Sequence, residues 1–91
     1  MSVAEVSFYG AAAFDALVFL YAMRLHRELE GSLLGRAALF IGLSAVAIGL
    51  HHLIRVNSTT QLGLATAESV EVIAGLLLLL GVYEIHRLSR L

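Results

Sequence analysis

The sequence predicts an all-α integral membrane protein with three transmembrane helices. Three apolar stretches fill most of the chain, and each has about the 17–25 residues that an α-helix needs to cross a bilayer. Hydrophobic residues make up 59% of the 91 residues and charged residues 14%, whereas soluble domains average about 45–50% and 25%. A chain this short has too little polar surface to cover three apolar helices in water. The stretches are Val6–Met23, Ala37–Ile54 and Leu62–Tyr83.

Helix 1 is predicted over about residues 3–27. Ser2 and Glu5 have the spacing of a capping box, which starts a helix, and Gly31 is a candidate stop. The N-terminus has an acidic residue where a secretory signal peptide has positive charge, so no signal peptide is expected. We therefore expect residues 1–91 to be one mature, single domain.

Helix 2 is predicted over about residues 33–55, with Ser32 as its cap, and it has a stripe of small residues. In lipid, such stripes allow two helix backbones to approach closely. Helix 1 or 3 of the same chain or helix 2 of another copy could fill the stripe. We expect another copy, and hence a homo-oligomer, because three helices alone enclose too little volume for a solute path. The glycine stripe consists of Gly35, Gly42, Ala45 and Gly49.

Helix 3 is predicted over about residues 62–88, and its start is ambiguous. Ser58 with Gln61 forms a second capping-box pattern, while Thr66 would cap a later start. The uncharged run 72–83 would extend only about 18 Å as a helix, which is too short to span about 30 Å of hydrocarbon. At least Glu71 is therefore expected inside the membrane.

The arginines predict the orientation of the chain. With three spans, the first loop and the C-terminus share one side, which carries five of the six arginines. The positive-inside rule places that side in the cytoplasm, with the N-terminus outside and the C-terminus inside. The expected location is the cell membrane, as a multi-pass protein. The net charge of −1 means that the chain has no excess of positive charge for binding nucleic acid.

The candidate functional residues are ionisable groups within the apolar stretches, which are costly there and are by default candidates for function. The short second loop joins the end of helix 2 to the start of helix 3, so their polar residues should form one cluster in the outer third of the membrane. Asp15 is expected deeper, on an inward face of helix 1. The outer cluster comprises His51, His52, Glu68 and Glu71 with Arg55 as charge partner, and a cytoplasmic polar layer comprises His26, Glu84 and His86.

Imidazoles beside carboxylates favour cation or proton handling, in a channel or transporter, with a divalent metal as one candidate ligand. The adjacent His51 and His52 point about 100° apart on a helix, so both cannot face one ion. There is no cysteine for a thiolate site. No nucleophile or phosphate-binding motif is present either, so an enzyme is not expected.

Two alternatives remain open from the sequence. Haem b for electron transfer could lie between helices, ligated by His52 of two copies meeting at the glycine stripe, with a second haem on His26 and His86. The protein could instead be an accessory subunit of a membrane complex. Its polar cluster would then serve only to hold helices 2 and 3 together.

Overall fold

The computed structural model describes residues 2–90 and contains three α-helices joined by short turns. Helix α1 spans Val3–Glu28, α2 spans Leu33–Asn57 and α3 spans Gln61–Ser89. Each is long and apolar enough to cross a membrane. The predicted all-helical, three-helix architecture is therefore confirmed, and the helix ends differ from the predicted ends by one or two residues.

Side-chain caps start the three helices. The hydroxyl oxygens of Ser2 and Ser32 accept hydrogen bonds from the amides of Glu5 and Gly35, as the capping patterns predict. In α3 the cap is Thr60, so both candidate caps, Ser58 and Thr66, are wrong, although the helix begins within one residue of the predicted residue 62. The start is nevertheless early, which places Glu68 and Glu71 two to three turns into the helix.

Helix α2 lies between the other two helices. Within residues 2–90, no Cα atom of α1 lies within 8 Å of a Cα atom of α3, whereas both helices contact α2 along its length. The Cα atoms extend over 47 × 22 × 16 Å, which is the shape of a single layer of helices. Two broad faces of this layer are therefore open, and within residues 2–90 α1 and α3 each pack against α2 and not against each other.

The glycine stripe of α2 packs against α1 of the same chain. A Cβ atom added at Gly42 would lie 2.6 Å from Met23 Cε and 3.0 Å from Ala22 Cβ. One added at Gly49 would lie 3.5 Å from Asp15 Cβ. The expectation that this stripe joins two copies is therefore corrected: α1 fills it, because the short first turn folds α1 back along α2.

A second stripe on α2 packs against α3, and it shares the seven-residue spacing of the first. Ser44 is buried and donates a hydrogen bond of 2.8 Å to the Ala74 carbonyl oxygen. Near one end a Cβ added at Gly81 would lie 3.4 Å from the Ala37 carbonyl oxygen. The facing sets are Ala37, Ser44 and His51 on α2 and Gly81, Ala74 and Ala67 on α3.

Gly42→Ile is expected to lower the free energy of unfolding by about 1–3 kcal/mol, as overpacking of a close contact does. The added side chain would collide with Met23 and Ala22 of α1. Thermal unfolding in mild detergent measures the effect, and Gly10→Ile is the control because nothing lies within 4 Å of a Cβ built there. Equal melting temperatures for the two variants would contradict the α1–α2 packing described above.

Candidate functional site

His51 and Glu71 form a pair between α2 and α3. The Nδ1 atom of His51 lies 2.8 Å from the Ala67 carbonyl oxygen, and since a carbonyl oxygen only accepts, Nδ1 carries the hydrogen. The other ring nitrogen, Nε2, lies 4.0 Å from Glu71 Oε2. The His51 side chain is 11% exposed and that of Glu71 is 58% exposed. The pair therefore presents one imidazole nitrogen, held in place by the Ala67 hydrogen bond, and one exposed carboxylate.

Asp15 and His52 form a pair on the opposite side of α2, toward α1. His52 Nε2 lies 4.0 Å from Asp15 Oδ2, and the His52 ring packs beside Phe8 at 5.7 Å between ring centroids. Asp15 Oδ2 and His52 Nδ1 are buried and have no hydrogen-bond partner within residues 2–90. Asp15 thus faces inward as predicted, but it pairs with His52 instead of lying deeper than the outer cluster.

Arg55 and Glu68 form the third pair, near the turn between α2 and α3. Arg55 Nη1 donates to Glu68 Oε1 at 2.9 Å, and both side chains are about half exposed. A surface ion pair of this kind contributes about 0–1 kcal/mol to stability. Arg55 therefore neutralises Glu68 and not Glu71.

The expected single cluster is in fact three separate pairs. His51 faces α3 and His52 faces α1, which confirms that adjacent residues on a helix diverge, although their ring centroids are only 5.5 Å apart. In the part of the chain that the structure describes, no three histidine, aspartate or glutamate side chains converge on a point that could hold a metal ion. The candidate residues therefore divide into two His–carboxylate pairs, His51–Glu71 and His52–Asp15, and one salt bridge, Arg55–Glu68.

The direction of side chains along antiparallel helices explains both His–carboxylate pairs. A Cα–Cβ bond tilts toward the N-terminus of its own helix. His51 and His52 therefore lean toward the start of α2, whereas Asp15 and Glu71 lean the opposite way along α1 and α3. The polar ends of two such side chains therefore come close together although their Cα atoms lie at different heights. Positions counted along each helix alone predict a larger separation than the structure has.

A pocket of about 300 Å³ opens beside the His51–Glu71 pair. Both imidazoles and the carboxylate contribute to its walls, together with apolar residues of α2 and α3. No heavy atom lies within 4 Å of a Cβ added at Gly75, one turn along α3 from Glu71. The pocket lining is Ile48, His51, His52, Glu71, Ala74, Gly75 and Leu78.

The residues of the predicted cytoplasmic polar layer lie at the end of the helices opposite the two His–carboxylate pairs. His26 Nδ1 lies 2.7 Å from the Gly35 carbonyl oxygen and donates to it, as His51 does to Ala67. Glu84 is buried and pairs with Arg87 at 3.4 Å, while His86 is exposed. Glu71 and Glu84 are about 20 Å apart along α3 at 1.5 Å per residue, with no charged residue between them.

The haem alternative does not fit this arrangement. It requires two copies of His52 to meet at the glycine stripe, but α1 covers that stripe and Asp15 faces His52. A haem on His26 and His86 would have to lie between α1 and α3, but α2 occupies the space between these two helices. Neither histidine pair thus provides the two facing ligands that bis-histidine ligation needs.

The sequence reasoning missed Ser44, Ala67 and Ala74. Ala67 anchors His51 through its carbonyl oxygen, and Ala74 does the same for Ser44. The available signal was the seven-residue spacing of Ala67, Ala74 and Gly81, which matches that of the glycine stripe.

No known protein family, curated protein or solved structure matches this chain. Its function must therefore be argued from its own geometry.

Proposed function

We propose that this chain is a multi-pass protein of the cell membrane, with its N-terminus outside and its C-terminus in the cytoplasm. Three helices of sufficient length and hydropathy support insertion. Five arginines at one end of the layer support the orientation. In this orientation both His–carboxylate pairs lie in the outer half of the bilayer.

We propose further that the protein binds and moves divalent cations, with His51 and Glu71 as ligands. The observation that carries this is the fixed imidazole: Nδ1 donates to a backbone carbonyl, and Nε2 faces a carboxylate at 4.0 Å across a pocket. Histidines that bind metals almost always donate their other ring nitrogen in this way. Imidazole nitrogen and carboxylate oxygen together suit Zn²⁺ and similar ions.

A carrier fits the polar groups better than a channel or a proton wire does. The 4.0 Å separations within the two pairs exceed hydrogen-bond length. About 20 Å of uncharged helix separates Glu71 from Glu84. A fixed path across the bilayer would need polar groups there, so an ion has to be carried by a movement of helices. Within residues 2–90, Cα atoms of α1 and α3 come within 8 Å of α2 but not of each other, an arrangement that supports such a movement.

Zinc uptake by proteoliposomes tests the proposed function. Purified protein is reconstituted, a zinc-sensitive dye is enclosed, and Zn²⁺ is added outside. We expect uptake that saturates with zinc concentration and exceeds that of protein-free liposomes. Uptake equal to that of protein-free liposomes would refute cation transport, and uptake that rises linearly without saturation would refute a carrier.

Cysteine labelling tests the orientation, because the chain has no cysteine of its own. Ser2→Cys is expected to react with a membrane-impermeant maleimide on intact cells. Ser89→Cys is expected to react only after the cells are opened, since it lies at the arginine-rich end. The reverse pattern would refute the N-out, C-in orientation.

A further inference from the structure

One chain supplies only half of the ligands that a zinc-like ion requires. Such ions take four ligands, of which at least three normally come from the protein. Within residues 2–90, no third histidine, aspartate or glutamate joins His51 and Glu71. Building on the proposed function, we infer that a second copy of this chain completes the site, with His51 and Glu71 of both copies around one divalent cation.

The charges of the assembled site add to zero. Two Glu71 carboxylates carry two negative charges and the ion carries two positive charges, while metal-bound imidazoles are neutral. In a single chain, the Glu71 side chain is 58% exposed on a face that would meet lipid in the proposed membrane-inserted protein. A charge exposed there is costly. Cation binding between two copies removes both the exposure and the net charge.

The open face of α3 allows the required approach of two copies. A two-fold axis along the membrane normal brings identical residues together at one height. Gly75 lies one turn from Glu71 on this face, and nothing lies within 4 Å of a Cβ built there, so two α3 backbones can come close. Leu78 and Val82, which are 43% and 52% exposed, continue the face along α3.

The distance within the pair is compatible with a bound ion. Two ligands at tetrahedral positions, each about 2.0–2.1 Å from the ion, lie about 3.4 Å apart. His51 Nε2 and Glu71 Oε2 lie 4.0 Å apart. A small rotation of the exposed Glu71 side chain closes this difference, while the hydrogen bond to Ala67 holds His51 in place.

Binding of Zn²⁺ and Co²⁺ to the purified full chain in mild detergent tests this inference without any transport. Metal content and protein mass are measured on the same samples after gel filtration. We expect one ion per two chains, a dimer that EDTA dissociates, and the intense visible absorption of tetrahedral Co²⁺. An ion bound by a monomer, or a dimer that EDTA leaves intact, would overturn the role of the second copy while leaving the proposed cation site standing.

Three variants locate the site. Glu71→Gln removes a ligand and is expected to weaken Zn²⁺ binding by more than the about 10–100-fold that loss of an outer-shell partner costs. Gly75→Leu is expected to abolish the metal-dependent dimer without lowering the melting temperature of the monomer. Within residues 2–90 of one chain, no atom of a neighbouring helix lies within 4 Å of a Cβ built at Gly75, so the larger side chain collides only with a second copy. Glu68→Gln is the matched control, since Glu68 pairs with Arg55 outside the pocket.

Two results would count against the site itself. Unchanged zinc affinity in Glu71→Gln would overturn the assignment of the ligands, and so would equal losses in Glu71→Gln and Glu68→Gln. A metal-dependent dimer that persists in Gly75→Leu would overturn the proposed contact between the two α3 helices. If the wild-type chain binds neither Zn²⁺ nor Co²⁺, both this inference and the proposed function fail.

Discussion

Glutamine in place of Glu71 is expected to slow zinc uptake by proteoliposomes at least about tenfold, because a direct ligand is worth more than an outer-shell partner. The amide has nearly the shape of the carboxylate but no negative charge, and it is a poor ligand. The Glu71 side chain makes no hydrogen bond within residues 2–90 and is more than half exposed. The substitution should therefore leave the fold intact, and a loss of uptake would report on the cation and not on stability.

Glu68→Gln provides the comparison, because it removes the same charge three residues away on the same helix. Glu68 lies in an exposed ion pair with Arg55, so its loss should change neither uptake nor stability appreciably. Uptake that stays at the wild-type rate in Glu71→Gln would remove Glu71 from the transport site. Melting temperatures of all three proteins in detergent show whether any lost uptake comes from unfolding.

The fold was largely predictable because each helix carries its own signals. Length and hydropathy identify the spans, and Ser2 and Ser32 mark two of the starts by local hydrogen bonding. Such signals do not depend on the neighbouring helices. The cap of α3 was missed because Ser58, Thr60 and Thr66 are all competent caps, and the turn geometry decides among them.

The neighbours of each helix were less predictable. A stripe of small residues offers the same close contact to any helix, so Gly42 could not reveal that Ala22 of its own chain would fill the space. On helix 3, the sequence drew attention to the ionisable residues Glu68 and Glu71. The buried face instead carries Ala67 and Ala74, whose small size and spacing allow the closest approach to α2.

The distances between the candidate site residues depend on how the helices pack against each other, and not only on the position of each residue along its own helix. Counting residues from the helix ends places Asp15 deeper than His52, yet their polar atoms lie 4.0 Å apart because the two side chains lean toward each other. The divergence of His51 and His52 was predictable because it follows from the helix alone. Their separate partners, on α3 and α1, depend on which helix lies on each side of α2.

His52→Leu is expected to lower the free energy of unfolding by about 1–3 kcal/mol, which is the cost of leaving a buried polar group without its partner. The substitution removes the imidazole that lies 4.0 Å from Asp15 Oδ2, an atom that is buried and has no hydrogen-bond partner within residues 2–90. Unfolding in mixed micelles of mild detergent and sodium dodecyl sulfate measures the loss. His86→Leu, on the exposed surface of α3, is the control for replacing a histidine by leucine.

The double variant Asp15→Leu/His52→Leu separates the charge effect from packing. If the destabilisation comes from an uncompensated carboxylate, removing Asp15 as well should restore most of the lost stability, because apolar side chains of similar volume often replace a buried pair at little cost. A double variant as unstable as His52→Leu would instead assign the loss to the packing of His52 against Phe8. Because the Asp15–His52 pair lies between α1 and α2, restored stability with normal zinc uptake would make this pair structural and leave His51 and Glu71 as the proposed cation ligands.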